Sequence, residues 1–96
     1  MRAFPIPPEE MVITSEYVTV DRMPIVYVSR EYDEEEGEVW QFHCGNGDFS
    51  MGKMQIVRLS TILGFDASVL EVSDLPMGFC ARRSHPDQPW VYARGE

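Results

Sequence analysis

The hydrophobic residues of this chain fall in short blocks, and the spacing within most blocks favours strands. From Met11 to Val20, MVITSEYVTV is rich in β-branched residues and predicts one strand or two short ones, with Ser15 and Glu16 interrupting the apolar pattern. Asp21 and Arg22 then mark a turn. PIVYVSREY, Pro24 to Tyr32, has apolar Ile25, Val26, Tyr27 and Val28 in succession. Apolar residues on both faces predict a strand in the middle of a sheet. EVWQFHC alternates with period two, which puts Trp40, Phe42 and Cys44 on one face and Val39, Gln41 and His43 on the other, wetter face. With Gly37 supplying the turn, these two segments predict a β-hairpin whose tip is DEEEGE.

The second half of the chain is more punctuated. GNGD, Gly45 to Asp48, contains an Asn-Gly pair that tolerates positive φ and so predicts another turn. Gln55 to Arg58 reads as a short strand. Ser60 caps an expected turn of helix over Thr61 to Leu63 that Gly64 ends, and Asp66 caps a second over Ala67 to Val72. Leu75-Pro76 stops it, because a residue before proline avoids the helical region. GFCARR, Gly78 to Arg83, and WVYA, Trp90 to Ala93, complete the expected strands around the proline-bearing loop SHPDQP. Hairpin-linked strands with two short helices predict an α+β fold on a mostly antiparallel sheet. The domain spans residues 11–96; residues 1–10, with prolines at 5, 7 and 8, form an extended arm that either lies on the domain or hangs free.

Length and charge narrow what such a domain does. Ninety-six residues suit a single core. No apolar run is long enough for a membrane helix, and MRAFPIPPEE lacks the apolar centre of a secretory signal, so a soluble, cytoplasmic protein with no membrane partner is expected. The net charge is −8, from sixteen acidic against eight basic residues, and Glu31 to Glu38 alone contributes six acids and no base. The remainder, ten acids against eight bases, is nearly balanced. Nucleic acid is therefore a poor partner, because binding it needs Lys and Arg to displace counterions from phosphates. A cationic protein surface is the electrostatically suited one. Asp33, Glu34, Glu35, Glu36 and Glu38 are the candidate partner-binding residues.

Candidate chemistry adds little. His43, Cys44, Cys80 and His85 invite a zinc reading, but zinc sites pair their ligands a few residues apart, whereas His43 and Cys44 are neighbours on a strand and point to opposite faces. Two cysteines are fewer than small disulfide-stapled domains carry, and both are expected reduced. Cys44 with His85 has the elements of an activated thiol, yet no recognisable nucleophile motif surrounds either. The acidic run gives all its carboxylates one solvated environment, where acid–base catalysis needs two different ones. No phosphate-cradling glycine loop is present. Arg82-Arg83 is the only basic doublet, and either forms a solvent-facing or ion-paired strand end or clamps a phosphate or carboxylate. No catalytic residue, metal or cofactor is expected.

The succession of Ser15-x-x-Val18, PIVYVSRE, an acidic loop, WQFHCG, STILGFDASVL and DLPMG resembles a bacterial family of small domains assigned as immunity proteins of polymorphic toxin systems. The likeness spans residues 13–83. It implies a protein that binds and neutralises a toxin encoded beside it, and it brings no catalytic set. An inhibitor with a concentrated negative tip suits a basic toxin. Two other readings stay open at this point: an accessory or ligand-binding domain on which the acidic tip serves only solubility, and a small thiol- or metal-dependent enzyme built on Cys44, Cys80 and His85.

Overall fold

The computed structural model describes residues 3–48 and 50–95. The first two residues of the arm, Phe49 and the last residue of the domain lie outside that set. Six strands form one sheet: β1 (Met11–Ser15), β2 (Tyr27–Asp33), β3 (Gly37–His43), β4 (Met54–Arg58), β5 (Phe79–Arg82) and β6 (Val91–Arg94). Their spatial order is β4-β1-β3-β2-β5-β6. Every neighbouring pair is antiparallel except β1 with β3. The helices are short: α1 (Glu16–Thr19), α2 (Leu59–Phe65), a 3₁₀ helix at Ala67–Val72 and a single 3₁₀ turn at Met51–Lys53. This is the α+β arrangement that the strand pattern predicts, and the strongest apolar block, β2, lies inside the sheet between β3 and β5.

The helices cover one face. Val12, Val28, Trp40, Phe42 and Ala81 point from the strands into a core that Leu59, Ile62, Val69, Val72 and Leu75 close from the helical side. Trp40 and Phe42 are fully buried. Each contributes roughly 1.5–3 kcal/mol or more from removing its side chain from water. Of the two placements open to the arm, the described part lies on the domain: Phe4 is buried, with its ring edge-on to Trp40 at 5.0 Å and to Phe42 at 5.9 Å. Proline-rich backbone donates few hydrogen bonds, so burying one aromatic there leaves little unsatisfied.

Several boundaries differ from the sequence expectation. The apolar block from Met11 does not continue to Val20, because the chain turns at Ser15 into α1. The polar Ser15-Glu16 pair is that break. Helix α2 begins at Leu59, ahead of Ser60, has no side-chain cap, and runs through Gly64 to Phe65. Leu59 and Ile62 anchor it in the core, and this packing outweighs the weak helix preference of one glycine. Asp66 does cap the next segment, accepting from the Ser68 amide at 3.0 Å, but that segment is 3₁₀. His43 lies on the face opposite Trp40 and Phe42 as alternation requires, yet it is buried, its ring stacked on Tyr27.

Turn chemistry fixes the corners that position the hairpin. Gly37 closes the acidic turn at φ 82°. Gly45, at φ 76°, starts the next one, where a Cβ would stand 2.7 Å from a Val26 methyl. Any side chain there strains the backbone and displaces Val26.

Candidate functional site

The β2–β3 hairpin outruns its neighbours. Strand β2 pairs with β5 only through Tyr27, Val28 and Ser29, with the Gly78 amide adding one bond to the Arg30 carbonyl at 2.8 Å. From Glu31 to Asp33, β2 pairs with β3 alone. A two-stranded ribbon therefore carries the acidic turn beyond the rest of the sheet.

The tip is ordered by its own first acid. One Asp33 oxygen accepts from the amides of Glu35, at 2.8 Å, and Glu36, at 2.9 Å. These bonds, the Glu36 amide first, hold Asp33 below the ordinary carboxylate range. Glu34, Glu35 and Glu36 are exposed, and no ion pair among the described residues engages them. Their charges stand within one turn of each other, where nothing but solvent and salt disperses the field.

Glu38 behaves differently from the other four expected residues. Its carboxylate meets Arg30 Nε at 2.9 Å and accepts from Trp40 Nε1 at 2.6 Å, half-buried. Arg30 in turn donates to the Leu75 carbonyl at 2.8 Å and lies over the Trp40 ring. Glu38 is thus a fastener between hairpin and core, its charge met inside the molecule. Of the six acids in the run, one is offset by Arg30, which leaves Glu31, Asp33, Glu34, Glu35 and Glu36 as the net negative end. Glu31 accepts from Gln41 Nε2 at 3.2 Å, a neutral donor that does not change that count.

The other candidate constellations separate in space. Cys44 packs toward the core beside Phe42, while Cys80 is buried on the opposite face, paired with Ser29; both are free thiols. His43 bonds Gln41 at 2.9 Å, and burial pushes its pKa down. His85 is exposed in a loop near Asp87. Among the described residues no group of three or more His, Cys, Asp or Glu could hold a metal ion.

The arginine doublet also splits. Arg82 is exposed, with its guanidinium over the Tyr27 ring. Arg83 is buried and donates to the Ile25 carbonyl from Nε and Nη2, to the Pro86 carbonyl and to Asp66 at 2.9 Å, with its plane 4.2 Å from the Trp90 ring centre. It ties three loops together, so the strand-end ion-pair reading holds for Arg83.

One site was missed by sequence reasoning. Asp48 accepts from the Ser50 hydroxyl and from Tyr17 Oη at 2.5 Å, which lowers its pKa to about 2 and raises that of Tyr17. It fastens the turn after β3 to α1. The Asp-x-Ser spacing was its only local signal; the Tyr17 contact bridges 31 residues. No helix among the described residues is long and apolar enough to cross a membrane.

Comparison of the chain with family models, with curated proteins and with solved structures finds no match.

Proposed function

We propose that this chain is a non-enzymatic, cytoplasmic binding protein that neutralises a toxin, with a basic protein surface as its target. The observation that supports the reading most is the uncompensated charge of Glu34, Glu35 and Glu36 on a projecting ribbon, while nearby Glu38 is neutralised by Arg30. Acids that served only solubility would work equally well scattered over the surface. Concentrated on a protruding end, they steer encounter with a cationic partner and disfavour nucleic acid and like-charged proteins. The resemblance to immunity domains points to the same class of partner. No cofactor enters this account.

The test is genetic and physical together. The product of the adjoining reading frame, expressed alone, is expected to arrest growth, and co-expression of this chain is expected to restore it through a stable complex. Growth arrest unaffected by the chain, or an adjoining product with no toxicity and no binding, removes the proposal.

A further inference from the structure

At the opposite end of β2 from the acidic turn, a cleft of about 390 Å³ is lined by Val26, Tyr27, Gly45, Gly47, Arg82 and Arg83. It lies between the start of β2, the turn after β3 and the end of β5. The volume falls in the range of small-molecule sites and exceeds what a lone ion fills. None of the six lining residues is acidic, in a chain with twice as many acids as bases.

Arg82 is presented to this cleft ready to donate. His43, Tyr27 and Arg82 are paired in one row across β3, β2 and β5, on the open face of the sheet opposite the helices. The guanidinium lies 5.0 Å from the Tyr27 ring centre, and that ring stacks on His43. Stacking uses the flat face of a guanidinium and leaves the N–H groups at its edge free for a two-pronged grip on an oxyanion. No ion pair or hydrogen bond among the described residues takes them up. Arg83 beside it is already satisfied by Ile25, Pro86 and Asp66.

The turn after β3 adds backbone donors. Gly45 and Gly47 have φ of 76° and 84° on either side of Asn46, and among the described residues nothing accepts from the amides of these three. Successive amides in a turn whose φ alternates in sign form the concavities in which backbone binds anions. Nearby acids are engaged or distant. Asp48, next to Gly47, is held by Tyr17 and Ser50. Glu31 lines the groove that continues along the open face, but it stands four residues up β2 from Tyr27, roughly 13 Å away, and shares that groove with Arg94. Arg22 also lines a cleft, there with Asp66 on the wall.

We propose that the cleft binds a small molecule carrying a carboxylate or phosphate on a flat or apolar body. The oxyanion sits on the edge of Arg82 and the amides of the 45–47 turn, and the body lies against Val26 and Tyr27. The arginine doublet thereby divides its roles: Arg83 braces the wall and Arg82 meets the ligand. This site is independent of the toxin-binding reading and stands or falls without it.

The test titrates the full chain with benzoate, with phenyl phosphate and, as an uncharged control, with benzamide, at constant ionic strength. Backbone amide and arginine side-chain resonances are followed in nitrogen–proton correlation spectra. Saturable shifts are expected at Gly45, Asn46, Gly47 and the Arg82 Nε–H with at least one anion, and benzamide should bind at least about tenfold more weakly. The tighter anion names the ligand's head group. Arg82→Gln, at an exposed position, should weaken that anion at least about tenfold while leaving resonances remote from the cleft unmoved. Arg94→Gln removes a guanidinium outside the cleft and should leave binding within about twofold. Shifts that spread evenly over the exposed arginines, that survive Arg82→Gln, or that benzamide reproduces overturn the proposal. So does the lack of any saturable shift up to about 20 mM of either anion, well above a millimolar dissociation constant.

Discussion

The helix-covered half of this molecule and its hairpin end treat charge in opposite ways. In the covered half, Arg83 is buried and satisfied by two backbone carbonyls and Asp66, and Arg30 bridges Glu38 to the Leu75 carbonyl. At the hairpin end, three consecutive glutamates face water with no ion-pair partner among the described residues. The difference is informative because both halves draw on the same side chains. Glu38 and Glu36 are two residues apart, yet one fastens the fold and the other faces water. Position on the ribbon, and above all the reach of Arg30, decides which.

Substitutions sharpen that contrast, beginning with the largest effect. Phe42→Ala opens a cavity under Trp40 and Phe4 and should cost about 4 kcal/mol in denaturant unfolding. A loss below about 1 kcal/mol would mean that the covered face is not the core. Arg83→Met keeps the packing over Trp90 but leaves Asp66 and the Ile25 carbonyl short of donors, an expected loss of about 3 kcal/mol in the same assay. Breaking the pair in this way differs from removing both charges, so Arg83→Met with Asp66→Asn, which keeps a side-chain oxygen to cap the Ser68 amide, should recover part of the loss.

A smaller effect appears in acid. Asp48 has a folded pKa near 2 against an ordinary 3.8, so its contribution is fully present above about pH 4 and is lost as pH falls through the folded value. Asp48→Asn should therefore be less stable than the parent at neutral pH, with the two converging below pH 3, as followed by thermal unfolding at several pH values. Parallel stability profiles would show that the carboxylate does not act through Tyr17 and Ser50. The smallest effect is predicted on the open face, where Ile56→Ser should change stability by no more than about 0.5 kcal/mol because the residue is already in water. A large loss there would mean that the face is part of the core.

Much of the fold was legible because its signals are local. Period-two alternation marked Trp40 and Phe42 as inward, Gly37 and Gly45 marked turns, and Asp66 marked a cap. What stayed hidden depends on contacts distant along the chain. The parallel pairing of β1 with β3 leaves no mark in either strand, since Ile13 and Gln41 look the same in an antiparallel neighbour. Phe4 sits among prolines, and nothing nearby in sequence indicates that Trp40 receives it. His43 was placed on a wet face by alternation, but burial there follows from the stack on Tyr27. The candidate site was legible as composition only: six acids in eight residues gave the charge, and the structure separated Glu38 from the rest through Arg30 and Trp40.

The central claim is that Glu34, Glu35 and Glu36 serve a partner and not the fold. Its most direct test is the association rate of the adjoining reading frame's product with the parent and with the variant Glu34→Gln, Glu35→Gln, Glu36→Gln, measured at about 20 mM and about 500 mM salt, where screening lengths differ severalfold. The account predicts association at least about tenfold slower for the variant at low salt, nearly equal rates at high salt, and an unchanged unfolding midpoint. Equal association rates at both salt concentrations would contradict it.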